Sequence, residues 1–168
     1  LDNPPIHTLW DEDEAVLVAM PCAHIGGTRL GVMALAAGLP GIVLTEFDPP
    51  RVFDAVENRG VTRFFIVPAA LQMLLNHPDC AKTDFSRIKY ILYGASPIPL
   101  ELLRQCIAMF GAEFVQNYGM TETTGTICIL PPEDHSIEGN ERMRSAGKPL
   151  PGVEMIIRGP NGEALPCL

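Results

Sequence analysis

The feature that most constrains this chain is a regular alternation of short apolar runs with amphipathic segments. The apolar residues in each run stand together without alternating, which is typical of strands covered on both faces. Strands that alternate with helices predict βαβ crossovers, and therefore an α/β fold with a mainly parallel sheet. The predicted strands are residues 15–20, 41–45, 61–67, 88–93 and 113–117, and the predicted helices are residues 25–37, 49–59, 68–76 and 99–110.

The alternation stops near residue 119. Residues 119–152 are rich in threonine, glycine, proline and charged side chains, so we expect a long functional loop with short elements. A last strand is predicted over residues 153–158, where apolar residues return. It leads into Gly-Pro-Asn-Gly at residues 159–162, a sequence with the chemistry of a hairpin turn.

Composition narrows the class of protein. A chain of 168 residues can bury a core as one domain, and its formal charge of -8 argues against a nucleic-acid-binding protein. No apolar run approaches the roughly 20 residues that span a bilayer, and the sequence does not indicate a membrane partner. The cysteines form no CxxC pair, which favours reduced thiols and a cytoplasmic location. They are Cys22, Cys80, Cys106, Cys128 and Cys167.

The densest candidate for a functional segment is residues 116–125, QNYGMTETTG, directly after a predicted strand. In parallel α/β sheets, ligands bind beyond the carboxyl ends of the strands. Tyr118 could stack on a base, Gly119 would let a ligand approach the backbone, Thr121 could donate to a phosphate, and Glu122 could bind magnesium. The alternative is a polar turn that binds no ligand.

Two further segments also follow predicted strands. In residues 93–99, YGASPIP, small residues leave room for a flat ligand, although an ordinary strand-to-helix turn explains them as well. In residues 21–27, PCAHIGG, His24 could carry a proton or act as a gate, although an isolated histidine is often structural. Neither GxxxxGK[ST] nor GxGxxG occurs in the chain.

Taken in order, these segments resemble the adenylate-forming superfamily of acyl-CoA synthetases, aryl-CoA ligases, luciferases and peptide-synthetase adenylation domains. The matching segments are PCAHIGG, FFIVPAALQMLL, DFSRIKYILYGASPIP, QNYGMTETTG and SAGKPLPGVEMII, and they extend over essentially the whole chain. The family's phosphate loop, its TGD segment and its C-terminal lysine domain are not in this sequence. We therefore expect residues 1–168 to be a central fragment of the large AMP-binding N-terminal domain, inactive in isolation.

The resemblance implies an ATP-dependent acid–thiol ligase, with Mg²⁺ and coenzyme A as further requirements. A carboxylate attacks the α-phosphate of ATP, and a thiol then displaces AMP from the acyl-adenylate. In this family adenine would pack on Tyr118, with Asn117 at the adenine edge. Thr121 would contact the α-phosphate and Glu122 would bind Mg²⁺. The remaining nucleotide-binding residues implied by the resemblance are Gly94, Ala95, Ser96 and Gly119.

The resemblance also implies an acid pocket with His24 at its mouth. Its expected lining residues are His24, Gly26, Gly27, Val67, Gly94, Gly119, Met120 and Thr124. So many glycines indicate an open channel, which suits a fatty or aryl acid better than acetate. Residues 61–70 contain no acidic side chain that could hold the amine of an amino acid.

The main hypothesis from the sequence is thus part of an acyl-CoA synthetase for a fatty or aryl acid. Two alternatives remain. One is an adenylation domain that loads a carrier protein, and the other is a non-catalytic nucleotide- or acyl-binding module with the same fold. A pyrophosphate-release screen of the full-length protein would separate the enzymes from the binding module.

Overall fold

The computed structural model describes residues 10–165 as a seven-stranded sheet flanked by helices. The strands are β1 (Val16–Val18), β2 (Gly41–Val43), β3 (Arg63–Ile66), β4 (Tyr90–Gly94), β5 (Glu113–Met120), β6 (Gly125–Leu130) and β7 (Lys148–Pro149). The helices are α1 (Ile25–Ala36), α2 (Pro49–Asn58), α3 (Pro68–Asn76) and α4 (Leu100–Phe110). No helix within these described residues is long and apolar enough to cross a membrane.

The strand order is β2-β1-β3-β4-β5-β6-β7. Strands β1 to β5 pair in parallel, whereas β6 and β7 extend the sheet in antiparallel pairs. The α/β fold with a mainly parallel sheet is therefore confirmed. Because β2 and β3 lie on opposite sides of β1, the order of connections reverses between β1 and β3.

Successive strand residues face opposite layers of the molecule. Leu17, Phe64 and Ile91 belong to the main core, together with buried side chains of α2, α3 and α4. Val16 packs instead with Leu30 of α1. A third cluster, on β4, β5 and β6, consists of Leu92, Val115 and Ile129. The apolar runs of the central strands are continuous because both faces of the sheet are covered.

Helix α4 matches its prediction closely. Leu103 and Phe110 are buried in the main core, and Leu100 and Ile107 pack against it. The helix ends at Gly111, which has a left-handed φ of 61°. Glycine adopts this conformation at little cost, and it is the usual residue after a helix end.

Two predictions for the last third of the described chain are wrong. Residues 119–152 are not simply a loop, because β5 continues to Met120 and β6 and β7 follow. The predicted strand at 153–158 is absent, since no neighbouring strand pairs with it. Ile156 and Ile157 are exposed, and an isolated bridge joins Arg158 to Ala164 across the predicted turn.

The cysteines are free thiols in the described part of the chain. Cys80, Cys106 and Cys128 are buried among apolar side chains, as core residues should be, whereas Cys22 is exposed. Burial raises the pKa of the Cys106 thiol to about 12. The prediction for Cys167 lies outside the described residues.

Candidate functional site

A cavity of about 440 Å³ opens at the carboxyl ends of β1, β3, β4 and β5, against the first two turns of α1. It lies beside the reversal between β1 and β3, where ligands bind in open α/β sheets. Met20 and Val67 contribute from the loops after β1 and β3, and Phe65 and Leu92 contribute from the sheet. The cavity thus has a largely apolar wall.

Most of the predicted site residues meet at this cavity. Those that line it are His24, Gly26, Gly27, Val67, Ala95, Asn117, Gly119, Met120, Thr121 and Glu122. Gly94 and Thr124, which we expected in the acid pocket, lie outside its wall, as do Ser96 and Tyr118. The ligands and roles assigned to these residues from the sequence stay predictions.

His24 is placed by the start of α1. It is the N-cap residue, with extended backbone, and its carbonyl oxygen accepts hydrogen bonds from the amides of Gly27 and Thr28 at 3.2 and 3.1 Å. Its exposed imidazole lies at the rim of the cavity. Gly27 is buried directly behind it, where a Cβ would collide with the carbonyl oxygen of Met20. The absence of a side chain at Gly27 lets α1 begin close against the end of β1.

The end of β5 supplies the polar residues. Asn117 is buried, and Gly119 allows β6 to approach so closely that a Cβ would collide with the carbonyl oxygen of Gly125. A 3₁₀ turn, Thr121–Thr123, follows the strand. The Thr123 hydroxyl stabilises this turn because it lies within 2.9 Å of the Met120 carbonyl oxygen and 2.8 Å of that of Gly125. The turn leaves the side chain of Glu122 exposed at the cavity.

The end of β4 forms the neighbouring wall. A Cβ at Gly94 would collide with the carbonyl oxygen of Asn117, so this glycine permits the pairing of β4 with β5 instead of lining the cavity. Ala95 has a left-handed φ of 67°, and Thr124 has one of 60°. These are the non-glycine residues with positive φ in the described chain. Strained backbone of this kind occurs preferentially at ligand sites.

A hydrogen-bonded pair of the buried Tyr93 and the half-buried His135 supports the end of β4 from the opposite face. The Tyr93 hydroxyl donates to Nε2 of His135 at 3.0 Å, because Nδ1 of His135 donates to the Pro131 carbonyl oxygen at 2.9 Å. Burial raises the pKa of Tyr93 above its usual range and lowers the pKa of His135. Both groups are therefore neutral near pH 7.

Sequence reasoning missed several lining residues, among them Ile25, Arg29, Leu30 and Phe65. The apolar ones carry no signal, because any core residue could occupy their positions. Arg29, in contrast, did carry a signal in the sequence. It is the single charged residue in the otherwise uncharged helix Ile25–Ala36, and it follows His24 by a little more than one turn.

The comparisons with known proteins agree with this geometry. The sequence pattern of the family "AMP-binding enzyme" matches residues 4–167. A fatty acid–[acyl-carrier-protein] ligase, ScoC, from Streptomyces coeruleorubidus is 34% identical over 94% of this chain and 30% of its own length. A feruloyl-CoA synthase from an Amycolatopsis species is 34% identical over 98% of this chain and 33% of its own. This chain therefore spans about a third of the length of these relatives.

Solved structures give the same result for the fold. The amide bond synthetase McbA from Marinactinospora thermotolerans superposes with a TM-score of 0.83 at 30% identity, over 95% of this chain and 31% of its own. An o-succinylbenzoate coenzyme A synthetase from Bacillus subtilis, in complex with ATP and a magnesium ion, superposes with a TM-score of 0.79 at 31% identity. That match covers 94% of this chain and 31% of the synthetase.

Proposed function

The chain belongs to the AMP-binding enzyme family, and we propose that it forms part of an ATP-dependent ligase that activates a fatty or aryl acid and transfers it to coenzyme A. One observation carries the proposal. A largely apolar cavity includes His24, Thr121 and Glu122 among its lining residues. An acid in the cavity would present its carboxylate where phosphate-binding and metal-binding side chains meet.

The acid would lie against Gly26, Gly27, Phe65 and Val67, with its carboxylate toward His24. Apolar side chains and glycine backbone suit a hydrocarbon chain or an aromatic ring, because neither needs hydrogen-bond partners. His24 lies at the cavity rim next to the start of α1, where the partial positive charge of the helix favours an anion. Its role is to orient the carboxylate.

The nucleotide would lie on the other face of β5. Tyr118 is 44% exposed and does not line the cavity, so its ring is available to adenine. Gly94 ends β4 beside it, because Gly94 pairs with Asn117 in the sheet, and Ala95 and Ser96 follow. We assign the ribose and adenine side of ATP to this exposed surface.

Thr121 and Glu122 would bind the reacting phosphate and its metal ion. The described residues contain no group of three or more histidine, cysteine or acidic side chains that could hold a metal. One carboxylate nevertheless fits Mg²⁺, which is commonly held by one or two carboxylates and the phosphates of its substrate. Bound there, Mg²⁺ would offset the negative charge that opposes the approach of a carboxylate to ATP. The Thr121 hydroxyl would donate to an oxygen of the α-phosphate.

Two displacements then complete the reaction. A carboxylate oxygen of the acid bonds to the α-phosphorus, and the bond from that phosphorus to the pyrophosphate oxygen breaks. The sulfur of coenzyme A, having lost its proton, next bonds to the acyl carbon, and AMP leaves with the oxygen electrons. The side chains contribute position and charge, which dominate catalysis of such phosphoryl chemistry.

The acceptor thiol has a second candidate. The relative ScoC is named as a ligase to acyl carrier protein, so we also consider a carrier-bound thiol for this protein. Thioester formation measured with coenzyme A and with a phosphopantetheinylated carrier protein would separate the two.

The test of the proposed function is Glu122→Gln in the full-length protein that contains this chain. We expect acid-dependent pyrophosphate release to fall by about 10²–10³, the usual cost of removing one electrostatic contact to a transition state. Thioester formation from a pre-formed acyl-adenylate should be largely preserved. Glu12→Gln is the matched control, because Glu12 is exposed and lies outside the cavity lining. Normal pyrophosphate release by the Glu122 variant would reject the assignment.

A further inference from the structure

Arg29 is a cation in the wall of the acid cavity that the proposed reaction does not use. It lies on the second turn of α1, half-buried, and burial lowers the pKa of its guanidinium. An arginine nevertheless stays charged in proteins. Among residues 10–165, no hydrogen bond or ion pair to this guanidinium is present. Arg29 therefore has no ion-pair partner within the described residues, although the Glu122 carboxylate lines the same cavity.

The position of Arg29 is fixed by strand β6. A Cβ placed at Gly125 would lie 2.8 Å from Cδ of Arg29, so the aliphatic part of the arginine packs against the glycine backbone. Gly125 and Thr126 also line the cavity. The side chain thus lies between α1 and β6 and lines the cavity instead of extending freely into solvent.

A second polar group without a partner lines the same cavity. Asn117 is 7% exposed, and its Oδ1 is buried without a hydrogen-bond donor in the described part of the chain. Arg29 and Asn117 also line a small second cavity, next to Trp10 and Met33. Both side chains therefore border both cavities. A buried polar atom without a partner is costly, and here an unpaired donor and an unpaired acceptor border one space.

We propose that Arg29 and Asn117 form a polar subsite for a second oxygen-bearing group, a hydroxyl or a carboxylate, on the acid substrate. A hydroxyl can accept a hydrogen bond from the guanidinium and donate one to the Asn117 oxygen. A carboxylate can pair with the guanidinium and accept from the Asn117 amide after rotation of that group. The inference rests on the proposed function and narrows its substrate class to acids with a polar group remote from the reacting carboxylate.

The separation along α1 indicates the size of such an acid. Arg29 is five residues beyond His24, which corresponds to about 7.5 Å along a helix axis. A para-substituted benzoic acid spans a comparable length. Its carboxylate could therefore lie at His24 while its para substituent reaches Arg29, with the ring against Phe65.

The test compares para-hydroxybenzoate and terephthalate with para-methylbenzoate, which has a similar size but no para oxygen. In the full-length protein we expect kcat/KM to favour the two acids with para oxygens. Arg29→Met should lower kcat/KM for these two acids by about ten- to hundredfold, as expected for loss of a hydrogen bond to a charged group. The same variant should leave kcat/KM for para-methylbenzoate and the KM for ATP nearly unchanged.

Three further variants check the interpretation. Arg29→Lys keeps the charge and should restore much of the preference for acids with para oxygens. Asn117→Ala should selectively lower kcat/KM for para-hydroxybenzoate. Arg51→Met is the matched control, because Arg51 is an exposed arginine on α2 whose ion pairs involve Glu46 and Asp48. Melting temperatures of all variants report whether any of them fails to fold.

Failure of this inference is distinguishable from failure of the proposed function. If Arg29→Met lowers kcat/KM equally for all three acids and raises the KM for ATP, the subsite is overturned and Arg29 belongs to the nucleotide site. An unchanged preference in Arg29→Met, or a preference for para-methylbenzoate in the wild type, would also overturn it. If neither these three acids nor a panel of fatty acids and other aryl acids releases pyrophosphate, the proposed function is rejected. Calorimetric binding of the same three acids to wild type and Arg29→Met then decides the subsite.

Discussion

Gly26 and Gly27 are adjacent on α1, but a methyl group added at each would meet a different neighbour. At Gly27 it would collide with the backbone of Met20. At Gly26 it would lie 2.7 Å from Cε1 of Phe65, a side chain that can move and that lines the cavity. The two glycines therefore have different functions. Gly27 permits the packing of α1, and Gly26 leaves room for the ring of Phe65.

We predict that Gly26→Ala shifts substrate preference toward smaller acids, because the displaced Phe65 ring takes up cavity space. The change in kcat/KM between a bulky and a short acid should be about 10- to 200-fold, the discrimination that one methylene group gives in an apolar pocket. Gly31→Ala on the same helix is the control, since its added methyl group would have ordinary contact with Val18 at 3.5 Å. An equal decrease in kcat/KM for all acids would mean that Gly26→Ala damages the fold.

The Tyr93–His135 pair predicts a pH dependence of stability. Burial lowers the pKa of His135 in the folded protein, although Asp134 and Glu133 favour its charged form. Below about pH 6.5, the ordinary histidine pKa, the unfolded chain binds a proton that the folded chain does not. The free energy of unfolding should therefore decrease as pH falls from 6.5 toward the folded pKa of His135.

His135→Gln should flatten this dependence, because glutamine can keep polar contacts but does not titrate. Urea denaturation of wild type and variant across this pH range measures the effect. Above about pH 7.5 the difference in stability between the two proteins should be constant. Parallel slopes below pH 6.5 would assign the pH dependence to other groups.

At this scale the sequence pointed to most of the glycines that line the cavity and to Thr121 and Glu122, because they carry recognisable chemistry, but not to Thr126. It missed Phe65, whose contribution depends on which face of β3 borders the cavity, and Arg29, whose contribution depends on which face of α1 meets the sheet. It also placed Gly94 in the acid pocket, whereas the structure uses that glycine for strand pairing.

Strand β5 is the element on which the site depends most. It pairs in parallel with β4 and antiparallel with β6, and its register shifts between Tyr118 and Gly119. This irregularity lies next to the turn that presents Glu122. The positions of Thr121 and Glu122 are therefore set by how β5 and β6 meet.

We predict that Gly119→Ala separates β5 from β6, because its Cβ would collide with the Gly125 carbonyl oxygen. Neither backbone segment can yield as a side chain would, so the loss of stability should fall in the range of about 1–3 kcal/mol typical of overpacking. Gly41→Ala in β2, where nothing lies within 4 Å of the added Cβ, is the control. Equal melting temperatures for the two variants would contradict the prediction.

The elements that sequence reasoning placed correctly are those whose signal is local. Helix α4 has an apolar face and a glycine stop, and β3 and β4 are continuous apolar runs. Strand β6 begins with Gly-Thr, and it forms because β5 supplies an edge for it to pair with. Residues 153–158 are apolar enough for a strand, but a strand is stable only beside a partner, and among residues 10–165 no strand pairs with them.

Across the molecule, one buried ion pair connects the segment before β1 to β3. Glu14 and Arg63 are both about 1% exposed, and Nη2 of Arg63 donates to Oε1 of Glu14 at 2.6 Å. Trp10 stacks on the guanidinium at 4.0 Å. The pair lies at the amino ends of the central strands, opposite the edge that holds the cavity.

We predict that Arg63→Met destabilises the whole domain by about 3–5 kcal/mol, the usual cost of leaving one member of a buried ion pair uncompensated. Adding Glu14→Gln to that variant should recover part of the loss, because the orphaned carboxylate is removed. Chemical denaturation of the two variants and the wild type tests this. A double variant no more stable than Arg63→Met would show that the charge of Glu14 is not the cause.

The two faces of β5 have a consequence for how this protein could change over evolution. Asn117 and Gly119 line the cavity, whereas Tyr118 between them does not. A substitution at Asn117 would change the cavity wall and leave intact the exposed surface at Tyr118, which we assign to ATP. A one-residue slip of the strand would instead exchange the two sets of side chains. This arrangement favours changes of specificity by single substitutions. Insertions and deletions in β5 should be strongly selected against.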